Sequence, residues 1–283
     1  MSTATSLPLS DPNAYDFRRC KLCASEAASS KYLLKKMKVY ACPVCDFHCI
    51  DHLDTLPPVA PDAAMQQLDH TSRRYIEARL PANEKQHRNN LLLVSRQVSL
   101  PGKECLDIGA GAGLFAHLLT ASGASVHGIE PQEIFRVFAR EKFGIALRGE
   151  TLEASCWQQE FIDFFDLATL WDVLEHVNFP AELLQHAYNV IKPGGLLFLD
   201  TPRRDALFYR ISEWSYRLSD GANPLFLESL YSPLPFRHKQ LFTQRQLLQL
   251  VERIGFSVCS VAAPLFRMQN RMVLVCRKPE APG

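Results

Sequence analysis

The sequence predicts an α/β fold: a parallel sheet covered by helices on both faces, preceded by a small cysteine-rich module. Three observations carry this expectation. From Lys103 onward, short apolar runs alternate with amphipathic segments of helix length. A glycine-rich turn at Gly109, Gly111 and Gly113 joins the first of those runs to the first helix. Two C-x-x-C pairs, Cys20/Cys23 and Cys42/Cys45, stand ahead of it with 18 residues between them. The composition is that of a folded globular chain, with 283 residues, 47% hydrophobic, 22% charged, and 31 Lys+Arg against 30 Asp+Glu. It excludes disorder as the dominant state and argues against a whole-protein electrostatic grip on nucleic acid. No apolar run approaches the ~18–20 residues of a membrane span. Met1–Ser10 has neither the basic start nor the apolar stretch of a secretory signal. A cytoplasmic protein with no membrane partner is expected.

A C-x-x-C knuckle turns two thiolates toward one ion, and two knuckles close a tetrahedral shell with no open position. Cys20, Cys23, Cys42 and Cys45 are therefore the expected ligands of a structural Zn2+ in a zinc ribbon. His48, Cys49 and His52 are near enough in sequence to replace the fourth ligand. The intervening Lys31–Tyr40 mixes apolar, aromatic and basic residues as a short hairpin does. Between Phe17 and Cys45 there are seven Lys/Arg and one Glu. Four thiolates around Zn2+ contribute a net −2, leaving roughly +4, a patch suited to a phosphate-bearing substrate, to RNA, or simply to solvent. Cys105, Cys156, Cys259 and Cys276 lie in apolar segments and read as inert core residues.

Pro57, Pro58 and Pro61 mark a linker, and helices with polar faces at Arg73, Arg74, Arg79 and Arg88 are expected from about Ala63 to Val98. After the Pro101-Gly102 turn, strands are expected at Glu104–Ile108, Ser125–Glu130, Ile145–Arg148, Asp166–Trp171 and Leu196–Asp200. Helices near Ala112–Ala121, Gln132–Phe143 and Ala181–Ile191 separate them. Residues 203–240 break the rhythm and read as a lid. Arg203–Leu218 is helical, and the segment after it is rich in Pro, Phe and Tyr. The aromatic side chains of this insertion, Phe208 to Phe236, are expected to supply a pocket wall, with some packing as a helical cap. Thr243-Gln-Arg-Gln246 is a capping box opening a helix that stops at Gly255. Strands at Ser257–Ala262 and Met272–Arg277 finish the sheet. The module limits are 1–56 for the ribbon, 57–102 for a helical linker or cap, and 103–283 for the α/β domain.

The glycine turn follows G-x-G-x-G, whereas the dinucleotide fingerprint G-x-G-x-x-G would place its third glycine at Leu114. Asp107 stands two residues before Gly109, where a carboxylate suits a cationic ligand better than a pyrophosphate. Glu130 ends the second strand, placed to hold both hydroxyls of a ribose. Together these favour a ligand with a ribose, a positive charge and no phosphate. S-adenosylmethionine (SAM) fits that description, and an NAD-dependent oxidoreductase does not fit the spacing.

Leu106-Asp-Ile-Gly-Ala-Gly-Ala-Gly113, Gly128-Ile-Glu130, Leu170-Trp-Asp-Val-Leu-Glu-His-Val177 and Ile191-Lys-Pro-Gly-Gly-Leu-Leu-Phe-Leu199 resemble the class I SAM-dependent methyltransferases. The closest likeness is to the ubiquinone-biosynthesis O-methyltransferase branch, over about Lys103 to Lys278. Arg237–Thr243 and Ile254-Gly-Phe256 are similar to it as well. The ribbon departs from that branch and looks like that of some sugar and secondary-metabolite methyltransferases. The resemblance implies a Rossmann-like, seven-stranded sheet with the last strand antiparallel between its neighbours. It also implies that Gly109, Ala110, Gly111 and Gly113 pass beneath the methionine part and that Asp107 reads its ammonium. Glu130 would take the ribose, Pro131 and Gln132 would flank the adenine, and Glu150, Thr151 and Leu152 would reach its amino group. Trp171 and Asp172 would line the channel from donor to acceptor.

An alcohol acceptor must lose a proton, and a histidine suits that task. His238, at the end of the lid, is taken as the base slightly ahead of His176, which follows the fourth strand at the carboxyl edge of the sheet. Glu175 is either an acid near the methyl group or a buried partner of His176. The expected function is methyl transfer from SAM to a small-molecule acceptor, a hydroxyl of a sugar, nucleotide-sugar or secondary metabolite. An RNA or protein methyltransferase docking through its ribbon is an alternative within the same chemistry, although nucleic acid is not the favoured partner. A non-catalytic SAM-binding module is the alternative from another class.

Overall fold

The computed structural model describes residues 15–55, 59, 68–262 and 270–280. Met1–Ser10, Pro57, Pro58, Pro61 and the Ala63 start of the expected helical segment lie outside the described residues. The first elements are a hairpin of β1 (Ser29–Leu34) and β2 (Met37–Ala41), then β3 (His48–Ile50). The helical segment resolves into α1 (His70–Glu77) and α2 (Leu80–Gln97). Asp69 caps α1 by accepting from the Thr71 and Ser72 N–H groups. Next come β4 (Glu104–Ile108), α3 (Leu114–Ala121), β5 (Ser125–Ile129), α4 (Glu133–Phe143), α5 (Ser155–Glu160), β6 (Phe165–Trp171), α6 (Pro180–Val190) and β7 (Ile191–Pro202). The insertion holds α7 (Leu207–Leu218) and α8 (Leu227–Leu230). The chain closes with β8 (Gln240–Leu241), α9 (Gln244–Ile254), β9 (Ser257–Ala262) and β10 (Arg271–Arg277).

The main sheet has the order β5-β4-β6-β7-β10-β9. β5, β4, β6 and β7 pair in parallel, and β10 runs antiparallel to both β7 and β9. The last strand thus lies antiparallel between its neighbours. Six strands form among the described residues rather than seven. The expected strand Ile145–Arg148 is reduced to a single parallel bridge between Ile129 and Arg148. Its start is consumed in ending α4: Gly144 turns left-handed at φ 68° and the Ile145 N–H donates back to the Ala139 carbonyl at 3.2 Å.

Alternation along the strands sends side chains to two apolar layers. Leu106, Leu197, Leu199 and Leu274 face one way, where α6 and α9 cover them with Leu183, Leu184, Leu247 and Val251. Cys105, Phe198, Val273 and Val275 face the other way, under Val94 of α2 and Phe115 and Leu119 of α3. The capping box on α9 forms as its sequence requires, with Thr243 and Gln246 each bonding the other's backbone N–H.

The ribbon does not stand apart from this core. Cys20, Leu22, Phe47 and Cys49 pack in the same apolar layer as Phe242 and Leu247. β8 completes the ribbon sheet as a fourth antiparallel strand, pairing His48 with Leu241 and Cys49 with Gln240. Gln246 donates to the Cys45 carbonyl at 2.7 Å and Arg253 to that of Leu22 at 2.6 Å. Among the described residues, no helix is long and apolar enough to cross a membrane.

Candidate active site

A cavity of about 650 Å³ opens at the carboxyl ends of β4, β5 and β6, the edge where open α/β sheets bind ligands. The glycine turn forms its floor. Gly109 has φ 70°, and a Cβ there would meet Val173 Cγ2 at 2.5 Å. Gly111 has φ 52° with open space around it. Gly113 caps α3 from the left-handed region but turns toward Ala139, away from the cavity.

Two buried carboxylates mark one end. Glu130 accepts the Gly111 N–H at 2.9 Å and the Gln132 N–H at 2.8 Å, so it ties the turn to the end of β5. Burial pushes its carboxyl up to about 7 against those two bonds. Asp107 accepts the Thr169 hydroxyl at 2.7 Å on Oδ1, while Oδ2 is buried with no hydrogen-bond partner among the described residues. Burial, with a smaller push from Glu130, raises it to about 7 as well. An orphaned buried carboxylate oxygen in a cavity wall fits a cationic ligand, as the donor's ammonium would be. Ala110, Pro131, Thr151, Leu152, Trp171 and Asp172 line the same cavity. Glu150 is not among its lining residues, and Glu153 is.

At the other end the sequence-predicted bases separate. His176 lines the cavity, and its Nδ1 is buried without a partner among the described residues. Burial, then the neighbouring His238, lowers its pKa to about 4. His238 packs behind it, bonded through Nδ1 to the Leu230 carbonyl at 3.2 Å, and is absent from the cavity wall. Glu175 is buried below both, accepting the Thr201 hydroxyl at 3.0 Å and facing Arg271 at 3.5 Å. The lid aromatics are a correction: of Phe208, Tyr209, Trp214, Tyr216, Phe226, Tyr231 and Phe236, only Phe236 lines the cavity. Tyr209 and Tyr231 instead bond each other at 2.8 Å, and Tyr209 bonds buried His48 of the ribbon at 3.0 Å. Buried hydroxyls need partners, and the ribbon supplies one.

Sequence reasoning missed three contributors. His87 of α2 lines the cavity, with burial lowering its pKa to about 4; nothing in the spacing of an amphipathic helix marks it. Arg271 of β10 gathers Asp172 at 2.5 Å, Asp200 at 3.1 Å and Glu175 at 3.5 Å. Against the burial that would raise it, Arg271 and then His176 hold the Asp172 carboxyl well below its usual range. A basic residue opening the last strand was the available signal. Asp54, near the end of the ribbon, also reaches the cavity. It exchanges backbone bonds with the Asn178 side chain, both at 2.8 Å, accepts the Phe236 N–H at 2.7 Å, and pairs with Lys239 at 3.0 Å.

The four cysteines of the two knuckles converge. Cys20 and Cys45 sulfurs are 3.5 Å apart, those of Cys23 and Cys42 3.6 Å, and all four lie within 4.8 Å of one another. A tetrahedral Zn2+ with bonds of about 2.3 Å sets its sulfurs about 3.8 Å apart, so the donor set fits the ion. Cys49, His48 and His52 are not in this group.

Comparison with known proteins places this geometry. Residues 70–261, more than half of the chain, match a family profile described as "Methyltransferase domain". The ubiquinone biosynthesis O-methyltransferase of Pseudomonas putida is 30% identical over 123 residues, 42% of this chain and 53% of that protein. The chain thus spans about half the length of the curated relatives it matches. Among solved structures, magnesium protoporphyrin IX methyltransferase from Synechocystis with bound SAH superposes with a TM-score of 0.52 at 16% identity, covering 69% of this chain and 83% of that one. A SAM-dependent methyltransferase from Thermotoga maritima does so at 0.51 and 20%, covering 73% and 97%. At these identities the likeness establishes the fold.

Proposed function

The chain belongs to the methyltransferase domain family, and on that footing we propose that it transfers the methyl group of SAM to a hydroxyl of a small-molecule acceptor. A sugar, nucleotide-sugar or secondary metabolite is the acceptor class. The observation that carries the reading is the polarity of one cavity, with buried carboxylates Asp107 and Glu130 at one end and an imidazole, His176, at the other. SAM would supply a methyl group already activated by its cationic sulfur, so positioning is the protein's main task, worth up to ~7–11 kcal/mol for well-oriented reactants.

Asp107 Oδ2 would take the ammonium, Glu130 the ribose hydroxyls, and Thr151 with Leu152 the adenine. The Gly111 and Gln132 N–H groups hold the Glu130 carboxylate in place before any ligand arrives. His176, kept neutral by burial, would accept the acceptor hydroxyl's proton at Nδ1, and Asp172 beside it favours the cation that forms. Cys20, Cys23, Cys42 and Cys45 would hold a structural Zn2+ with no open position. The 1–56 ribbon then acts as a structural module welded to the 103–283 domain, with 57–102 supplying one cavity wall through α1 and α2.

The test is incubation of the protein with methyl-labelled SAM and host extract, followed by separation of small metabolites from RNA and protein. Label among small metabolites is the expected result. Label in RNA or protein would move the acceptor to a macromolecule, and binding of SAM without any labelled product would leave a binding module.

A further inference from the structure

Two non-glycine residues of the cavity wall adopt a backbone conformation that L side chains rarely take. Asp172, just after β6, has φ 63°, and Phe236, near the end of the lid, has φ 55°. An aspartate tolerates the left-handed region, whereas a bulky side chain there is strained. Both are pinned in the same manner. The Asp172 N–H donates to the buried Asp200 carboxylate at 2.6 Å, and the Phe236 N–H to the buried Asp54 carboxylate at 2.7 Å. Each of those aspartates has its own cation, Arg271 at 3.1 Å from Asp200 and Lys239 at 3.0 Å from Asp54.

The latch on Phe236 reaches further. Lys239 is fully buried and also donates to the Leu234 carbonyl at 2.6 Å and the Ser232 carbonyl at 3.3 Å. One ion pair therefore grips three backbone groups of segment 232–236. Asp54 is fixed in turn by its two backbone bonds with Asn178, two residues past His176. His238, two residues past Phe236, brings its ring centroid to 4.8 Å from that of His176. The latch thus sets Phe236 at the His176 end of the cavity. Packing does not account for the strain, because Phe236 is half-buried and belongs to none of the three apolar clusters of the described residues. Strain held in place by its surroundings, at a cavity wall, points to a binding role. The face of an aromatic ring carries negative charge and receives the C–H groups or the offset face of another ring.

We propose that Phe236 is the specificity-determining contact for the acceptor, selecting a molecule that presents a ring, and that Asp54 is its positioning residue. The near end of the ribbon thereby shapes the acceptor site. The acceptor role rests on the methyl-transfer reading, whereas the contact itself is read by binding alone.

Two ring probes, methyl α-glucopyranoside and phenol, and an open-chain alcohol, glycerol, are titrated at millimolar concentration into the full chain with S-adenosylhomocysteine present. Saturation-transfer NMR reads each contact. Binding of a ring probe in preference to glycerol is expected, and which ring binds assigns a sugar or an aromatic acceptor. Phe236→Gly relieves the left-handed strain, so it should melt close to the wild type and weaken ring binding about tenfold. Phe236→Tyr keeps the ring and should bind as the wild type does. Asp54→Ala should weaken ring binding likewise, and Asp54→Asn, which can still accept the Phe236 N–H, should recover part of it. Should Asp54→Ala fail to fold, the Phe236 variants decide alone. No ring binding by the wild type, glycerol bound as well as the rings, or ring binding unchanged in Phe236→Gly would each overturn the proposal. So would a collapsed melting temperature in Phe236→Gly, which would make the ring a packing group. Ring binding lost in Phe236→Gly supports the contact whether or not label passes from SAM, and missing label overturns only the methyl-transfer reading.

Discussion

His176 and His238 pack ring against ring, their centroids 4.8 Å apart, yet His176 lines the cavity and His238 does not. Two imidazoles this close disfavour each other's protonation, and burial already lowers both. The pair therefore rests neutral with one member able to meet an acceptor. His176→Asn is expected to cut turnover by about 10²–10⁴-fold with little change in SAM affinity. His238→Asn should cost less and act by letting His176 move. Turnover and SAM titration on both variants decide the order.

The donor end makes SAM binding depend on pH. Asp107 and Glu130 both titrate near 7 in the ligand-free chain, raised from 3.8 and 4.5. A raised carboxyl binds its proton more tightly folded than unfolded, so these two groups make the free protein lose stability as pH rises from about 4 to about 7. A cationic ligand favours the ionised form. SAM affinity should therefore rise from pH 6 to 8 and level off, with proton release on binding. Calorimetry in two buffers of different ionisation enthalpy measures that release, and a flat affinity profile would remove Asp107 and Glu130 from the site.

Two glycines should fail in different ways. Gly109→Ala places its Cβ 2.5 Å from Val173 at φ 70° and should lower thermal stability. Gly111→Ala meets open space at φ 52°, so its methyl would fill the floor of the cavity. It should lose only the ~1–2 kcal/mol that a left-handed non-glycine residue costs, with no clash added, and lose most of its SAM affinity. Melting curves with and without SAM separate the two.

Arg271 neutralises an acidic cluster in which Glu175 and Asp200 are buried and Asp172 is exposed. Arg271→Met leaves Glu175 and Asp200 facing Asp172 with no cation and should cost about 3–5 kcal/mol of folding stability. Arg271→Lys restores one charge without the fork that reaches three carboxylates and should recover only part. Denaturant unfolding at pH 8 and pH 5 provides the check, the deficit shrinking at the lower pH as the carboxyls take up protons.

Chelation tests the ribbon. Cys42→Ser should lose stoichiometric zinc. Because the ribbon shares a core with α9 and hydrogen-bonds Gln246 and Arg253, removing the ion should shift one cooperative melting transition of the whole chain. A separate low-temperature transition for the ribbon would contradict that coupling.

Local signals made much of the fold legible. The β4–glycine turn–α3 unit, the Thr243 capping box and the antiparallel last strand all form where residue pattern or resemblance put them. The two knuckles identified four converging sulfurs because their spacing is short and their chemistry single-purpose. What stayed hidden was set by distance along the chain. Arg271 meets Glu175 from 96 residues away, and β8 is two residues long, too short for any periodicity. The lid aromatics were read from composition, which says that rigid apolar area is needed but not which neighbour it meets. For Tyr209 and Tyr216 that neighbour is the ribbon, through His48 and Tyr32.

The two-residue strand β8 also orders the birth of the protein. β3 has β2 on one side and Gln240–Leu241 on the other, so the second edge of the ribbon sheet stays open until residue 241 has left the ribosome. The proposed metal capture by the knuckles would need no residue beyond Cys45. A nascent or truncated chain would thus carry a metal-set hairpin with an unpaired, apolar edge, the kind of surface that recruits other strands. Ribbon fragments cut short of residue 240 should therefore bind zinc and still aggregate.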